Sequence, residues 1–272
     1  MRRLAAVEKK EGVRILLAIE SGSRAWGFAS PNSDFDVRFI YARPQDWYLS
    51  VDLEDRRDVI EYPIVDDIDL NGWDVRKALQ LFWRSNPAVI EWIQSPIQYM
   101  QSGCFQSGMQ GLLDTVYTIE KGIYHYRSMA KTNYRGYLMA DMVPLKKYFY
   151  VLRPLLATRW IETYRTAPPI EFSALLHLLP QQEGLLEEIH ALLERKKIAL
   201  EKELAPRIEK LNVFIEAELA RLENFSIDTE AKVDSMSELN RLFQRVLLEQ
   251  NAFTPNPEHL NHQAHAHLRR SD

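Results

Sequence analysis

Cysteine is nearly absent from this 272-residue chain. Cys104 stands alone, so no internal disulfide can form and nothing points to an oxidising compartment. It has no His neighbour in the sequence and reads as an inert buried thiol. No apolar run approaches the roughly 20 residues of a membrane helix. The basic start Met1-Arg2-Arg3-Leu4 runs at once into Glu8, Lys9, Lys10 and Glu11, which leaves no room for a signal-peptide apolar core. A cytoplasmic protein with no membrane partner is expected. Glycine thins out along the chain, with only Gly184 after Gly136, and no Gly/Ser linker or internal repeat marks off an independent module. The net charge of −4 argues against a constitutively basic nucleic-acid coat.

What is present is a 46% hydrophobic, 26% charged composition, ordinary for a globular chain. The first hundred residues read as mixed α/β. Val13 to Ile19 is long enough for one buried strand and ends in Glu20-Ser21-Gly22-Ser23. Phe35 to Tyr41 alternates as a strand does, after the turn signal Ser30-Pro31-Asn32-Ser33. Val59 to Val65, interrupted by Pro63, suits an edge strand. Ile68 to Leu70 is a short strand, and Trp73 to Arg84 a helix with Asp74 near its start. Beyond residue 104 the pattern predicts helices over 110–130, 141–165, 171–180, 183–222 (kinked or split by Pro206) and 235–250. The expectation is an α+β fold: a mixed α/β core over 1–104, a helical region over 105–254 and a flexible tail over 255–272. The tail carries His259, His262, His265 and His267, which read as incidental rather than as a metal site.

The chemistry concentrates between Gly22 and Arg38. Gly22-Ser23 after a strand should open a helical turn whose amides and hydroxyl favour a phosphate. Asp34 and Asp36, two apart, share one face of a strand and repel unless a positive group sits between them. Magnesium fills that role, preferring oxygen ligands while leaving places for water and phosphates. A third carboxylate from a neighbouring strand should complete the site. Asp69 is the best candidate, with Asp66, Asp67 and Asp74 as competitors and a helix cap the simpler role for Asp74. Arg24 suits a triphosphate contact or a surface ion pair, and Arg38 shares the face of Asp36 and could steady carboxylates or phosphates. Trp26, Trp73 and Trp92 read as core. Residues 121–165 hold nine Lys or Arg against two acids, a net of +7, interleaved with aromatics such as Tyr124, Tyr137 and Tyr150, which suits nucleic-acid contacts.

The string Gly22-Ser23, Gly27, Ser33-Asp34-Phe35-Asp36 resembles the signature of the DNA polymerase β-type nucleotidyltransferase superfamily. The wider match, through Asp69 to Leu79, Ser85-Asn86-Pro87 to Trp92, Ser95-Pro96 and Lys146 to Pro154, resembles the RlaP-type bacterial nucleotidyltransferases proposed to act in RNA repair. It covers residues 13–165. The resemblance implies a small mixed sheet with helices against one face and a cleft facing the helix around Lys146. It implies two Mg²⁺ ions (or Mn²⁺) on Asp34, Asp36 and Asp69, with Gly22, Ser23 and one of Lys146 or Lys147 on the phosphates of a nucleoside triphosphate. A nucleoside monophosphate would pass to an acceptor hydroxyl, with an RNA end as the leading acceptor. A protein side chain or small molecule is the alternative, and a non-catalytic nucleotide- or RNA-binding module a third reading. The amphipathic helices over 183–222 and 235–250 would also suit a homo-oligomer, though intramolecular packing explains them more simply.

Overall fold

The computed structural model describes residues 2–179, 184–198, 204–226 and 235–251. Helix α1 (Arg2–Glu11) leads into strand β1 (Arg14–Glu20), buried along its last six residues. The turn helix α2 (Gly22–Ala25) follows, then β2 (Phe35–Ala42), α3 (Gln45–Tyr48), β3 (Val59–Glu61) and β4 (Ile68–Asp74). Helices α4 (Val75–Trp83) and α5 (Pro87–Gln94) precede β5 (Gln98–Gln101). These strands form one mixed sheet in the order β3-β4-β2-β1-β5. Its one parallel pairing, β2 with β4, is central, and the others are antiparallel. β3 takes the edge and stops before Pro63, whose missing amide would break a ladder.

The sheet is covered on both faces, not one. On one side α1 contributes Leu4 and Val7 to a core with Val37, Phe39, Tyr41 and Leu70. On the other, Leu17, Ile19 and Ile40 pack with α4, α5, α6 (Phe105–Val116) and α11 (Met236–Asn251), the last through Leu239, Leu242 and Val246. Two-sided burial is why β1 reads as a continuous apolar run. Helices on both sides of residue 104 therefore share the sheet's core.

The remaining elements are α7 (Ile119–Tyr137), β6 (Met142–Pro144), α8 (Lys147–Tyr164), α9 (Leu185–Ile198), β7 (Leu204–Pro206) and α10 (Glu209–Glu223). α7 and α8 pack along their lengths, with α9 and α10 completing a third core. Several boundaries differ from expectation. The helix predicted over 110–130 is two, parted where the Thr118 amide donates to Ser85 Oγ at 2.9 Å. The helix predicted from 141 begins at Lys147, because Met142–Pro144 pairs with Leu204–Pro206. That same strand divides the long helix predicted over 183–222, with Pro206 at its end. The stretch predicted over 171–180 is a 3-10 helix, Ser173–Leu178. α11 matches the predicted helix over 235–250. The histidine-bearing tail lies outside the described residues. No helix among the described residues is long and apolar enough to cross a membrane.

Gly72 stays in β4 because a β-carbon there would lie 2.1 Å from the fully buried Phe39 ring. Gly72→Ala should lower stability by about 1–3 kcal/mol, the usual cost of overpacking a core, read by chemical denaturation. An unchanged midpoint would mean that Phe39 has room to move.

Candidate active site

Parallel pairing puts Asp36 opposite Asp69 across β2 and β4. The two carboxylates meet on one atom: Arg38 Nη2 lies 3.0 Å from Asp36 Oδ1 and 2.7 Å from Asp69 Oδ2. The other guanidinium nitrogen, Nη1, donates to the carbonyls of Asp69 at 3.0 Å and Val37 at 3.2 Å. Asn71 Nδ2 reaches the second Asp69 oxygen, Oδ1, at 2.5 Å. Asp36 Oδ2 faces the Gly22 turn, where a β-carbon would stand only 2.0 Å away. Gly22 also has φ +61°, a left-handed conformation suited to glycine. The missing side chain and the positive φ together let the turn backbone lie against the carboxylate.

Glu20 fixes this arrangement from behind and was missed in the sequence, where it reads only as the end of a strand. Its side chain is fully buried. Oε1 accepts the Asp36 amide at 2.9 Å, and Oε2 accepts the Tyr99 hydroxyl. Burial pushes its carboxyl above the ordinary value, opposed by those two hydrogen bonds. An apolar strand ending in a glutamate before Ser-Gly was the available signal.

The other expected residues are dispersed. Asp34 is half-buried just ahead of β2. Among the described residues no three carboxylate, His or Cys groups form a ready-made metal cluster, and the pair that the structure brings together on Arg38 is Asp36 with Asp69. Arg24 grips the chain instead of reaching outward: it donates to the Ser33 carbonyl at 2.7 Å and the Asp34 carbonyl at 3.2 Å, 3.9 Å above the Phe35 ring. Asp66 and Asp67 sit at positive φ in the turn before β4. Asp74 caps α4, accepting the Arg76 amide at 2.8 Å. Lys146 is the cap position just before α8, and Lys147 lies 4.0 Å over Tyr137 and 4.7 Å over Tyr150. Tyr150 meets Trp26 edge-on at 5.2 Å, which links this lysine to the end of the Gly22–Ala25 turn.

The +7 segment is largely consumed by the fold. Arg153 is 1% exposed and pairs with Glu91 at 2.8 Å. Arg159 pairs with Glu218, and Lys131 with Glu223. Tyr126, Tyr148 and Phe149 are core. Glu91 also accepts from Trp26 Nε1 at 3.3 Å and Tyr126 at 3.2 Å, while Arg153 stands 4.8 Å over the Trp26 ring. Phe28 stacks on Phe149 at 4.6 Å. The segment thus anchors the Gly22–Ala25 turn from the helical side. Trp92 is buried and stacks on Trp73 at 3.9 Å, as the core reading expects, while Trp26 belongs to this polar hub. Cys104 is half-buried, and burial raises its thiol.

A family model described as the RNA repair pathway DNA polymerase beta family (RlaP) matches residues 1–245. An uncharacterized protein of Bacillus subtilis (strain 168), YcgL, is 44% identical over 247 residues, covering 90% of this chain and 94% of its own. The crystal structure of a nucleotidyltransferase-like protein from Exiguobacterium sibiricum 255-15 aligns over 92% of this chain and 88% of its own, with 11% identity and a TM-score of 0.30.

Glu91→Gln should destabilise the protein by roughly 3–5 kcal/mol, because it leaves Arg153 buried without its counter-charge. Replacing both partners by methionine should cost less than either single change in denaturant titrations. A single-variant loss no larger than that of the pair would refute the hub. Burial raises the Asp74 carboxyl from 3.8 to about 6. The folded state therefore holds this proton more tightly than the unfolded chain, and Asp74's contribution to stability falls as pH rises from about 4 to about 6. Asp74→Asn, which keeps a capping oxygen, should gain on the wild type across that window and run parallel to it above. Parallel curves throughout would contradict the shift.

Proposed function

The chain belongs to the RNA repair pathway DNA polymerase beta family, and from that premise we propose that it is an enzyme transferring a nucleoside monophosphate from a nucleoside triphosphate to a hydroxyl, with an RNA end as acceptor. The observation that carries the reading is the convergence of Asp36 and Asp69 beside a turn whose Gly22 leaves no side chain between them and a phosphate. The donor set suits a hard divalent cation, since both groups are carboxylates and both stay partly exposed, where further oxygen ligands would complete the shell. Asp36 and Asp69, with Asp34 alongside, would hold Mg²⁺. When bound, it neutralises phosphate charge and makes a coordinated hydroxyl easier to deprotonate.

The chain's own residues do the rest by orientation. Gly22 and Ser23 receive the triphosphate against the turn. Glu20 holds the Asp36 backbone so that its carboxylate keeps station between turn and β4. One carboxylate accepts the proton of the acceptor hydroxyl and releases it to solvent. The freed oxygen bonds to the α-phosphorus as the bond to the β-phosphate bridging oxygen breaks, and pyrophosphate leaves. Lys147, through Tyr150 and Trp26, stands on the helical side of the turn, where a positive charge favours the departing pyrophosphate. The RNA acceptor rests on the family's description. With much of the +7 segment paired internally, its exposed groups include Arg135 and Arg165 with Tyr124, Tyr137 and Tyr164, and these would meet an acceptor's phosphates and bases.

With α-labelled nucleoside triphosphates, Mg²⁺ and a pool of cellular RNA and protein, label should move to RNA. Asp36→Asn and Asp69→Asn should each reduce transfer by roughly a hundredfold or more, the scale of losing one preorganised charge contact. Label on protein would redirect the acceptor to a side chain. Transfer undiminished in both variants would end the proposal.

A further inference from the structure

Resting on that reading, we propose that Arg38 is a built-in counter-ion which the divalent cation must displace, so that the Arg38 bridge and the loaded site are mutually exclusive. The geometry is specific. A single atom, Nη2, contacts Asp36 Oδ1 and Asp69 Oδ2, so an ion shared by those two oxygens needs the place this nitrogen holds. Of the remaining oxygens, Asp69 Oδ1 is engaged by Asn71, and Asp36 Oδ2 is turned toward the Gly22 backbone, away from Asp69. The cation therefore has to compete with the guanidinium.

The arginine is also built to move a short way without being lost. Nη1 is held by two backbone carbonyls, Asp69 O and Val37 O, that do not depend on the carboxylates. A turn of the guanidinium frees Nη2 while Nη1 keeps its anchor, leaving a cation beside the Gly22 turn where phosphate charge would arrive. The charges agree with this exchange. Arg38 supplies one positive charge to two carboxylates, and a divalent ion supplies two, so loading completes a neutralisation that the arginine leaves half done. Without the arginine, the like charges on paired strands would oppose the β2–β4 contact whenever the site is empty.

The test is divalent-ion binding to the full-length protein, followed by Mn²⁺ titration calorimetry and by thermal unfolding with and without Mn²⁺. Arg38→Gln should unfold at lower temperature than the wild type when metal-free, yet bind Mn²⁺ about tenfold more tightly, so that saturating metal closes the gap. An arginine with a merely structural role would lower stability and leave metal affinity equal or weaker, and that result overturns the displacement. If Arg38→Gln does not fold without metal, refolding at saturating Mn²⁺ should restore it, and failure of that rescue counts against the proposal. Arg38→Lys, which keeps a charge but cannot hold both the carbonyls and the carboxylates, should fall between the two. Saturable binding by neither protein, even with a nucleoside triphosphate present, would overturn the metal reading and the displacement with it, whereas binding by the wild type alone overturns only the displacement.

Discussion

Two carboxylates on neighbouring parallel strands repel, and the site exists because something holds them together. Parallel β2–β4 pairing fixes Asp36 opposite Asp69, and Arg38, two residues along the same strand face, neutralises both. Charge-assisted hydrogen bonds of this kind contribute ~1.5–3 kcal/mol each, enough to offset the repulsion while the pair stays partly open to solvent. The rest of the architecture serves that register. α4 returns the chain from β4 with Asp74 as its cap, Gly72 lets β4 close over Phe39, and Glu20 ties the end of β1 to the Asp36 amide.

A second constraint aligns the Gly22–Ala25 turn with the helical half of the molecule. Trp26 and Phe28, just beyond α2, insert among Tyr150, Phe149, Arg153 and Glu91. The ion pair at the centre of that contact is buried, so its value lies less in net stability than in setting one position for the turn. The turn is thus braced by the sheet through Asp36 and by α8 through Trp26, with both braces within a few residues of Gly22.

The legible part of the sequence was its local part. β1, β2, the Gly22-Ser23 turn and the cap of α4 follow from patterns a few residues long, and the structure carries them within a residue or two of expectation. Less legible was anything settled by a distant partner. β6 and β7 are three-residue strands sixty residues apart, and each reads as helix until the other is known. Arg153 and Arg159 look like a basic track until Glu91 and Glu218 are placed against them. Glu20 shows its importance only once the Asp36 amide and the Tyr99 hydroxyl are seen to converge on it.

By itself, then, the sequence determined the family signature, the glycine at the turn and the carboxylates from which a site would be drawn, because spacing along one strand fixes which side chains share a face. Tertiary structure decided which carboxylates meet. Asp69 rather than Asp66, Asp67 or Asp74 stands opposite Asp36, since strand register is a property of two segments and neither encodes it alone. It also decided that Arg38 bridges the pair while Arg24 turns inward to brace the Ser33–Phe35 segment, because a long cationic side chain goes to whichever oxygens the fold brings within reach.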